Sequence, residues 1–192
     1  NCKLVKPKYG IITSIGEAHL ESFGSKENIM KGKFELIESL PSDGLAILNK
    51  DDEYQVKYQI RNNCQVKWIG IDNKDVDLYA TNIKLSGSGT TFDCVFKGDK
   101  NKYTFNTKLL GKHNVYNILL GYELGLSISE LQRGVSSIKT IEHRLELKKY
   151  GNINIIDDAY NSNPVGSKRA VEVRGLMEGT KIIVTPGMIE LG

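Results

Sequence analysis

Short apolar runs alternate with polar, helix-compatible stretches in the first third of the chain. The runs at residues 9–15, 45–49 and 67–71 have the length of buried strands. An amphipathic stretch follows the first run, and a shorter one at residues 53–61 follows the second. Strands that alternate with helices are typical of βαβ units. The pattern therefore predicts an α/β fold with a mostly parallel sheet and flanking helices.

The strongest helix signal lies between Ser25 and Pro41. The Ser25 hydroxyl can accept a hydrogen bond from a free amide of the first turn, and Pro41 cannot continue a helix. Lys33 falls in the middle of the apolar stripe of this helix, whereas the other charged residues fall on its polar side. The stripe consists of Ile29, Leu36, Ile37 and Leu40.

Two interpretations of Lys33 follow from this pattern. In the first, the long stem crosses a narrow apolar stripe and the ammonium reaches water, which is the commoner outcome for such side chains. In the second, burial lowers the pKa of the amine, so that its neutral form can react or be modified. The helix pattern alone leaves both open.

The middle of the chain changes to consecutive strand-like runs. Gly-Ser-rich and Lys-Gly-Asp turn signals separate the runs, so they predict an antiparallel meander packed at the edge of the sheet. Two helical stretches follow and end in a break of the pattern at residues 139–142. The runs are residues 78–85, 91–96 and 103–109; the helices are residues 111–124, with Gly125 as the C′ residue, and 129–137, with Ser129 as the cap.

A second α/β pattern begins after the break. It consists of strands at residues 145–150 and 153–156, a helix at residues 166–177 and a strand at residues 181–185. So few elements bury too little surface for a self-sufficient domain. We therefore expect one domain at residues 1–140, the beginning of another at residues 141–192, and a parent chain that extends beyond both ends.

Composition narrows the class of protein. The 192 residues carry 26 basic and 23 acidic side chains, and a net charge of +3 argues against a nucleic-acid partner. No apolar run approaches the length needed to span a membrane. The three cysteines are far apart and form no C-x-x-C pair, which fits the reducing cytoplasm better than a disulfide framework or a structural zinc site.

Two asparagines open the helix predicted after residue 110. Asn114 and Asn117 are three residues apart, so their amides share one face of the first turn. They can serve as N-terminal caps, which asparagine does well. They can also present hydrogen bonds and flat surfaces to a planar ligand. His113 directly precedes them.

A second polar cluster follows the apolar run at residues 153–156. Asp157 and Asp158 stand where ligands bind in parallel α/β sheets, at the carboxyl end of a strand. Two carboxylates there can bind a metal, ribose hydroxyls or a phosphate-bound cation. Capping of the next helix explains Asn163 but not two adjacent acids. Arg144, shortly before, offers a cation suited to phosphate.

Seven short motifs stand out in order along the chain. They are Ile15-Gly16-Glu17-Ala18-His19-Leu20-Glu21-x-Phe23-Gly24-Ser25, Lys31-Gly32-Lys33-x-Glu35, Asn49-x-Asp51-Asp52, Gly111-x-His113-Asn114-Val115-Tyr116-Asn117, His143-Arg144-x-Glu146, Asp157-Asp158-Ala159-Tyr160-Asn161-x-Asn163-Pro164 and Pro186-Gly187-Met188-x-Glu190-Leu191-Gly192. Together they resemble the Mur ligases, the ATP-dependent amide ligases that build the peptidoglycan stem peptide. The last two motifs favour the members of the family that add D-Ala-D-Ala.

The resemblance implies a three-domain ligase. Residues 1–140 would be the later part of its central ATPase domain, and residues 141–192 would begin a Rossmann-like C-terminal domain, with a hinge near the break between them. It implies ATP and Mg²⁺ as cofactors, a UDP-muramoyl peptide and D-Ala-D-Ala as substrates, and a cytoplasmic monomer without nucleic-acid or membrane partners. The phosphate loop and a metal-binding glutamate of the family would precede Asn1, so we expect negligible ligase activity from these 192 residues alone.

The resemblance also implies roles for individual residues. His19 and Lys33 would be catalytic: the first ligates a magnesium ion, and the second carries a carbamate whose carboxylate helps to hold the metals. On this basis the second interpretation of Lys33 becomes the expected one. Nucleotide contacts would come from His113, Asn114, Asn117, Arg144 and Asp158, and substrate contacts from Asn161 and Asn163.

Two other functions stay open at this point. The chain can belong to another Mur-type or folylpolyglutamate-type ligase with a different carboxylate acceptor, or to a non-catalytic relative that only binds or scaffolds. The sequence contains no G-x-x-x-x-G-K-[ST] loop. A loop of that kind upstream of Asn1 would distinguish an ATPase from the non-catalytic relative.

Overall fold

A six-stranded sheet organises the larger part of the chain. The computed structural model describes residues 2–17, 20–122, 126–160 and 164–185. The strands lie side by side in chain order; neighbours from β1 to β4 pair parallel, and β4 to β6 pair antiparallel. The prediction of a mostly parallel sheet with a meander at its edge is therefore confirmed. The strands are β1 (Tyr9–Ile11), β2 (Leu45–Asn49), β3 (Gln65–Gly70), β4 (Leu78–Ser86), β5 (Gly89–Phe96) and β6 (Tyr103–Thr107).

Helices cover both faces of this sheet. Along β2 the side chains alternate: Ala46 and Leu48 join a core under α3, while Ile47 joins a core under α5 and α6. This period of two is what a strand buried on both faces requires. The helices are α1 (Cys2–Val5), α2 (Leu20–Phe23), α3 (Lys26–Glu38), α4 (Glu53–Lys57), α5 (Lys112–Leu120) and α6 (Ile128–Ser137).

Helix α3 begins where the sequence predicts and ends at Glu38, shortly before the predicted stop at Pro41. The Ser25 hydroxyl accepts a hydrogen bond from the Asn28 amide at 3.1 Å, and the helix ends before Pro41. Its buried face centres on Phe34 and Ile37, both fully buried. The helix lies so close to β1 that a Cβ on Gly10 would come within 2.9 Å of Ile37 Cδ1. A glycine in β1 thus sets the distance between α3 and the sheet.

A second, smaller unit follows α6. Strands β7 (Glu146–Tyr150) and β8 (Ile153–Asp157) form an antiparallel hairpin, and α7 (Pro164–Gly175) comes next. Gly151 turns the hairpin with a φ of 57°. Because β8 pairs antiparallel with β7, Asp157 and Asp158 do not follow a parallel strand in the described residues, as the sequence had suggested. Helix α7 reaches the first unit: Met177, just after it, packs against Gly87 in the β4–β5 turn.

The predicted strand at residues 181–185 is wrong. The structure describes these residues without strand pairing, and Ile182 and Val184 are 76% and 93% exposed. An apolar run becomes a strand only beside another strand. No described strand lies next to this one. The run has the composition of a strand, but among the described residues no neighbouring strand pairs with it.

Several other boundaries differ from the sequence predictions. Strand β1 ends at Ile11, although Ile12 and Ile15 beyond it are buried. Helix α4 ends at Lys57 because Tyr58 is extended and stacks on Phe34 with 3.9 Å between ring centroids. Helix α6 is capped by Ser127 rather than Ser129. Helix α5 ends at Leu120 with Gly121 as its C-cap, so its predicted continuation to residue 124 is wrong; residue 125, the predicted C′ position, lies outside the described residues. The division into domains at residue 140 stays a prediction.

Candidate functional site

Lys33 points from α3 toward the loop after β1. Its Nζ donates a hydrogen bond to the Ser14 carbonyl oxygen at 2.8 Å. The residue as a whole is exposed, so the expectation that it is buried within the apolar stripe is wrong. Lys33 shares its side of α3 with the buried Ile29 and Ile37, one turn before and one turn after it. Partial burial of the amine nevertheless lowers the pKa of Lys33, and the nearby Asp52 carboxylate opposes this shift.

Asp52 holds the same loop from the other side. Its Oδ2 accepts a hydrogen bond from the Ile15 amide at 2.7 Å, and its Oδ1 caps α4 by accepting from the Tyr54 amide at 3.1 Å. Lys33 and Asp52 thereby fix residues 14 and 15, which lead toward His19. His19, predicted as a magnesium ligand, lies outside the described residues.

Asp51 connects three elements of the first unit. Its carboxylate accepts hydrogen bonds from the backbone amides of Ile71, Asp72 and Asn73 at 2.6–3.0 Å and from the Tyr116 hydroxyl at 2.8 Å. Burial alone would raise the pKa of Asp51, but these donors outweigh it and hold the pKa below its usual value. The Asn-x-Asp-Asp motif is thus a structural junction that positions α5.

The N-terminus of α5 presents one asparagine and uses the other internally. Asn114 donates from Nδ2 to the Leu110 carbonyl at 2.8 Å and lies 3.1 Å from His113 Nε2. Asn117 is exposed, and its Nδ2 is 3.4 Å from Asn114 Oδ1. Neither caps the helix, because the N-cap is Gly111 and makes no side-chain cap. Asn114 therefore stabilises the start of the helix through its side chain. Asn117 has the amide that is accessible to a ligand.

A cleft of about 220 Å³ opens between α5 and α7. His113, Tyr116 and Arg169 line it, together with apolar residues of α7 such as Val173. Burial, assisted by the charge of Arg169, lowers the pKa of His113 to about 4, so the imidazole is neutral at pH 7. Its Nδ1 is buried without a hydrogen-bond partner among the described residues.

The remaining predicted nucleotide contacts lie at the base of the β7–β8 hairpin. The Arg144 guanidinium stacks over the Tyr160 ring, 4.1 Å from its centroid. Asp158 accepts a hydrogen bond from the Leu145 amide at 3.1 Å. Burial raises the pKa of Asp158, while the Leu145 amide and the charge of Arg144 oppose the shift. Arg144 and Asp158 are therefore neighbours, as their predicted common role requires.

The predicted residues that the structure describes form three local groups: Lys33 beside the loop after β1, His113, Asn114 and Asn117 at the α5 N-terminus, and Arg144 and Asp158 at the base of the hairpin. Asn161 and Asn163 lie outside the described residues. The sequence prediction missed Arg169, which brings a cation of the second unit to α5. The sequence indicates this role only weakly, because Lys168 and Arg169 are adjacent and the pattern does not show which of the two faces α5.

Comparison with known proteins identifies the protein family of this chain. Residues 1–124 match the Mur ligase middle domain. The chain belongs to the Mur ligase family, which confirms the resemblance found in the sequence.

Two relatives within the family match nearly the whole chain and carry the same name. The UDP-N-acetylmuramoyl-tripeptide–D-alanyl-D-alanine ligase of Bacillus subtilis is 36% identical over 99% of this chain and 41% of its own length. The Escherichia coli enzyme of the same name is 30% identical over 98% of this chain and 43% of its own length. The chain therefore spans about two-fifths of the curated relatives that it matches.

Solved structures agree with this assignment. MurF from Acinetobacter baumannii superimposes with a TM-score of 0.88 at 27% identity, over 99% of this chain and 42% of that one. MurF from Thermotoga maritima, solved in complex with ADP, gives a TM-score of 0.86 at 23% identity over 100% and 44%, and at that identity shares the fold. No helix in the described part of this chain is long and apolar enough to cross a membrane.

Proposed function

We propose that this chain is part of an ATP-dependent ligase that adds D-Ala-D-Ala to UDP-N-acetylmuramoyl-tripeptide. One observation carries the proposal: relatives of that name are similar over nearly all of the chain, including the hairpin and α7 beyond residue 124. In the proposed reaction the peptide carboxylate attacks the γ-phosphate of ATP to give an acyl phosphate and ADP; the amine of the dipeptide then attacks the acyl carbon, which forms the amide bond and releases phosphate and a proton. Such a protein would work in the cytoplasm as a monomer.

We place the nucleotide at the α5 N-terminus and the hairpin base. Asn117 is exposed there, and its amide offers both a donor and an acceptor to a base. His113 is neutral at pH 7, so it adds hydrogen-bonding capacity without charge. Arg144 supplies the cation for phosphate, and Asp158 an acceptor for ribose hydroxyls. Asn161 and Asn163 are proposed to contact the substrate.

Lys33 is proposed to hold magnesium with His19, as a carbamate. An ammonium cannot ligate a metal, and the Asp52 oxygens already accept hydrogen bonds from Ile15 and Tyr54. The lowered pKa favours the neutral amine, which adds CO₂ and releases a proton to give an anionic carbamate. Carboxylate oxygens suit Mg²⁺, so the modified residue fits the ion. Bound magnesium would neutralise charge between the phosphates.

The test is ligation by the full-length protein that contains this chain. With ATP, UDP-N-acetylmuramoyl-tripeptide and D-Ala-D-Ala, we expect phosphate release coupled to formation of the pentapeptide product. Omission of D-Ala-D-Ala should abolish product. Absence of product with all three substrates would refute the proposal.

The Lys33→Ala variant tests the metal assignment in the same assay. It should lose ligation; added bicarbonate should not restore it, whereas a short carboxylic acid should restore part of it by replacing the carbamate. Lys31→Ala, on the exposed side of the same helix, is the matched control and should keep activity. Wild-type activity in Lys33→Ala would leave Lys33 as an ordinary surface lysine.

A further inference from the structure

Four charged or titratable side chains cluster at the base of the β7–β8 hairpin. Atoms of His143, Glu146 and Asp157 lie within 4.8 Å of one another, a combination found in metal sites. In this structure the ammonium group of Lys148 lies within the cluster. Lys148 Nζ lies 2.7 Å from Asp157 Oδ2 and 3.2 Å from Glu146 Oε2. The side chains are half-buried, and the ammonium balances the two carboxylates.

The oxygens that Lys148 contacts also hold the backbone before β7. Glu146 Oε2 accepts a hydrogen bond from the His143 amide at 3.2 Å, and Asp157 Oδ2 lies 2.8 Å from His143 Nδ1. Lys148 and His143 together lower the pKa of Asp157 to about 2, so it remains a carboxylate. Each carboxylate therefore joins Lys148 to His143.

The backbone at this place is strained. His143 and Leu145 have φ values of 61° and 46°, in the left-handed region that side chains rarely adopt. Such residues persist only where surrounding contacts over-determine them. The contacts come from the segment after β8: the Tyr160 amide donates to the His143 carbonyl, and the Leu145 amide donates to Asp158, both at 3.1 Å. Arg144 lies between the two strained residues.

We propose that Lys148 is a positioning residue for Arg144 and Asp158. Its ammonium links Glu146 on β7 to Asp157 at the end of β8, and so keeps the strained turn at residues 143–145 against the loop that carries Asp158. Without it, two carboxylates would face each other and repel across the hairpin. The turn would then relax, and Arg144 would leave the place it holds over Tyr160. This inference rests on the proposed function, because it takes Arg144 and Asp158 as nucleotide contacts.

The test compares Lys148→Met, Lys148→Arg and Lys149→Met in the full-length ligase. Lys149 is the exposed neighbour on the same strand, so its replacement removes the same charge outside the cluster. For Lys148→Met we expect the KM for ATP to rise about tenfold or more, the scale of a lost charge-assisted hydrogen bond, with a smaller loss in kcat. Lys148→Arg should restore most of the affinity, and Lys149→Met should behave as wild type.

A second measurement is independent of ligase activity. In this chain, hydrogen exchange of the Leu145 and Tyr160 amides should accelerate in Lys148→Met and not in Lys149→Met. If the wild-type protein makes no product, the proposed function is refuted. The exchange rates of the Leu145 and Tyr160 amides still show whether Lys148 holds the turn. Unchanged exchange, an unchanged KM for ATP, or a Lys148→Met protein whose circular dichroism shows general unfolding would each overturn the inference.

Discussion

At the scale of single residues, Asp51 joins the loop after β3 to helix α5. Its two oxygens accept hydrogen bonds from three consecutive backbone amides after β3 and from Tyr116 on α5. Burial, together with the interaction with Asp51, raises the pKa of Tyr116, so the hydroxyl stays a donor. A single carboxylate thus fixes the start of the helix that carries Asn117.

We expect Asp51→Asn to destabilise the fold by about 2–3 kcal/mol, since either orientation of the amide turns its NH₂ toward an N–H or O–H donor. Denaturant unfolding followed by the fluorescence of Trp68, the single tryptophan, measures this. Asp72→Asn is the control. Asp72 is exposed and pairs with Lys112 at 3.0 Å, and such a surface pair contributes under about 1 kcal/mol.

The pH dependence of this difference has a defined sign. The folded pKa of Asp51 lies below its usual value, so its contribution is present above the unfolded pKa of about 3.9 and is lost as the pH falls through the folded pKa. The gap between wild type and Asp51→Asn should therefore be full at pH 7 and shrink in acid below about pH 4. A gap that is the same at pH 7 and pH 3 would contradict the role of the ionised carboxylate.

The sequence shows which residues carry reactive or charged groups, but it shows poorly how buried they are and which residues surround them. The apolar stripe that singles out Lys33 omits the fully buried Phe34 and does not indicate that Lys33 itself is exposed. Asp51 and Asp52 were noted as a motif, yet their hydrogen-bond partners at Ile71 and Tyr116 are 20 and 65 residues away. A sequence pattern reports neighbours along one element. It does not report which distant amides a carboxylate meets.

At the scale of elements, the ends of helices decide how well the sequence predicts them. Helix α3 has both a cap and a stop, Ser25 and Pro41; its start is as predicted, and it ends at Glu38, close to the predicted stop. Helix α4 has a cap at Asp52 but no local stop; a tertiary contact between Tyr58 and Phe34 ends it. Local signals therefore predict the bounds that local chemistry sets, and tertiary packing sets the others.

Helix α6 offers a direct test of a cap. Ser127 forms a capping box with Glu130, whereas the sequence favoured Ser129. Ser127→Ala should cost about 1 kcal/mol of unfolding free energy, because the first-turn amide of Glu130 loses its acceptor. Ser129→Ala, two residues along, is the matched control and should cost less. Equal losses in denaturant unfolding would contradict Ser127 as the cap.

At the scale of the whole molecule, the first and second units meet through α7. Val173 is buried near Gly111 at the start of α5, and Met177 packs against Gly87. Arg169 lines the cleft beside His113. The sequence predicts most of the elements in each unit but not this contact, because no pattern within either unit indicates which helix faces the other. The proposed nucleotide site includes residues of both units, so the proposed function depends on how the two units pack against each other.

The pKa of His113 reports whether α7 lies against α5 in solution. Burial is the larger cause of its lowered pKa of about 4, and the charge of Arg169 adds to it. In Arg169→Met the pKa should rise while staying below the ordinary value of about 6.5, because the burial remains. A titration of the His113 ring by NMR measures it, and Lys168→Met, which removes the neighbouring charge on α7, is the control that should leave it unchanged.

The same group gives the molecule a predictable acid sensitivity. Because the folded pKa of His113 lies below the unfolded one, the unfolded chain binds the proton more tightly, and the folded state loses stability as the pH falls from about 6.5 to about 4. Arg169→Met should reduce this loss, since the charge that opposes protonation is gone. A His113 pKa identical in wild type, Arg169→Met and Lys168→Met would mean that α7 does not hold Arg169 beside α5, and the cleft between the two units would then not exist in solution.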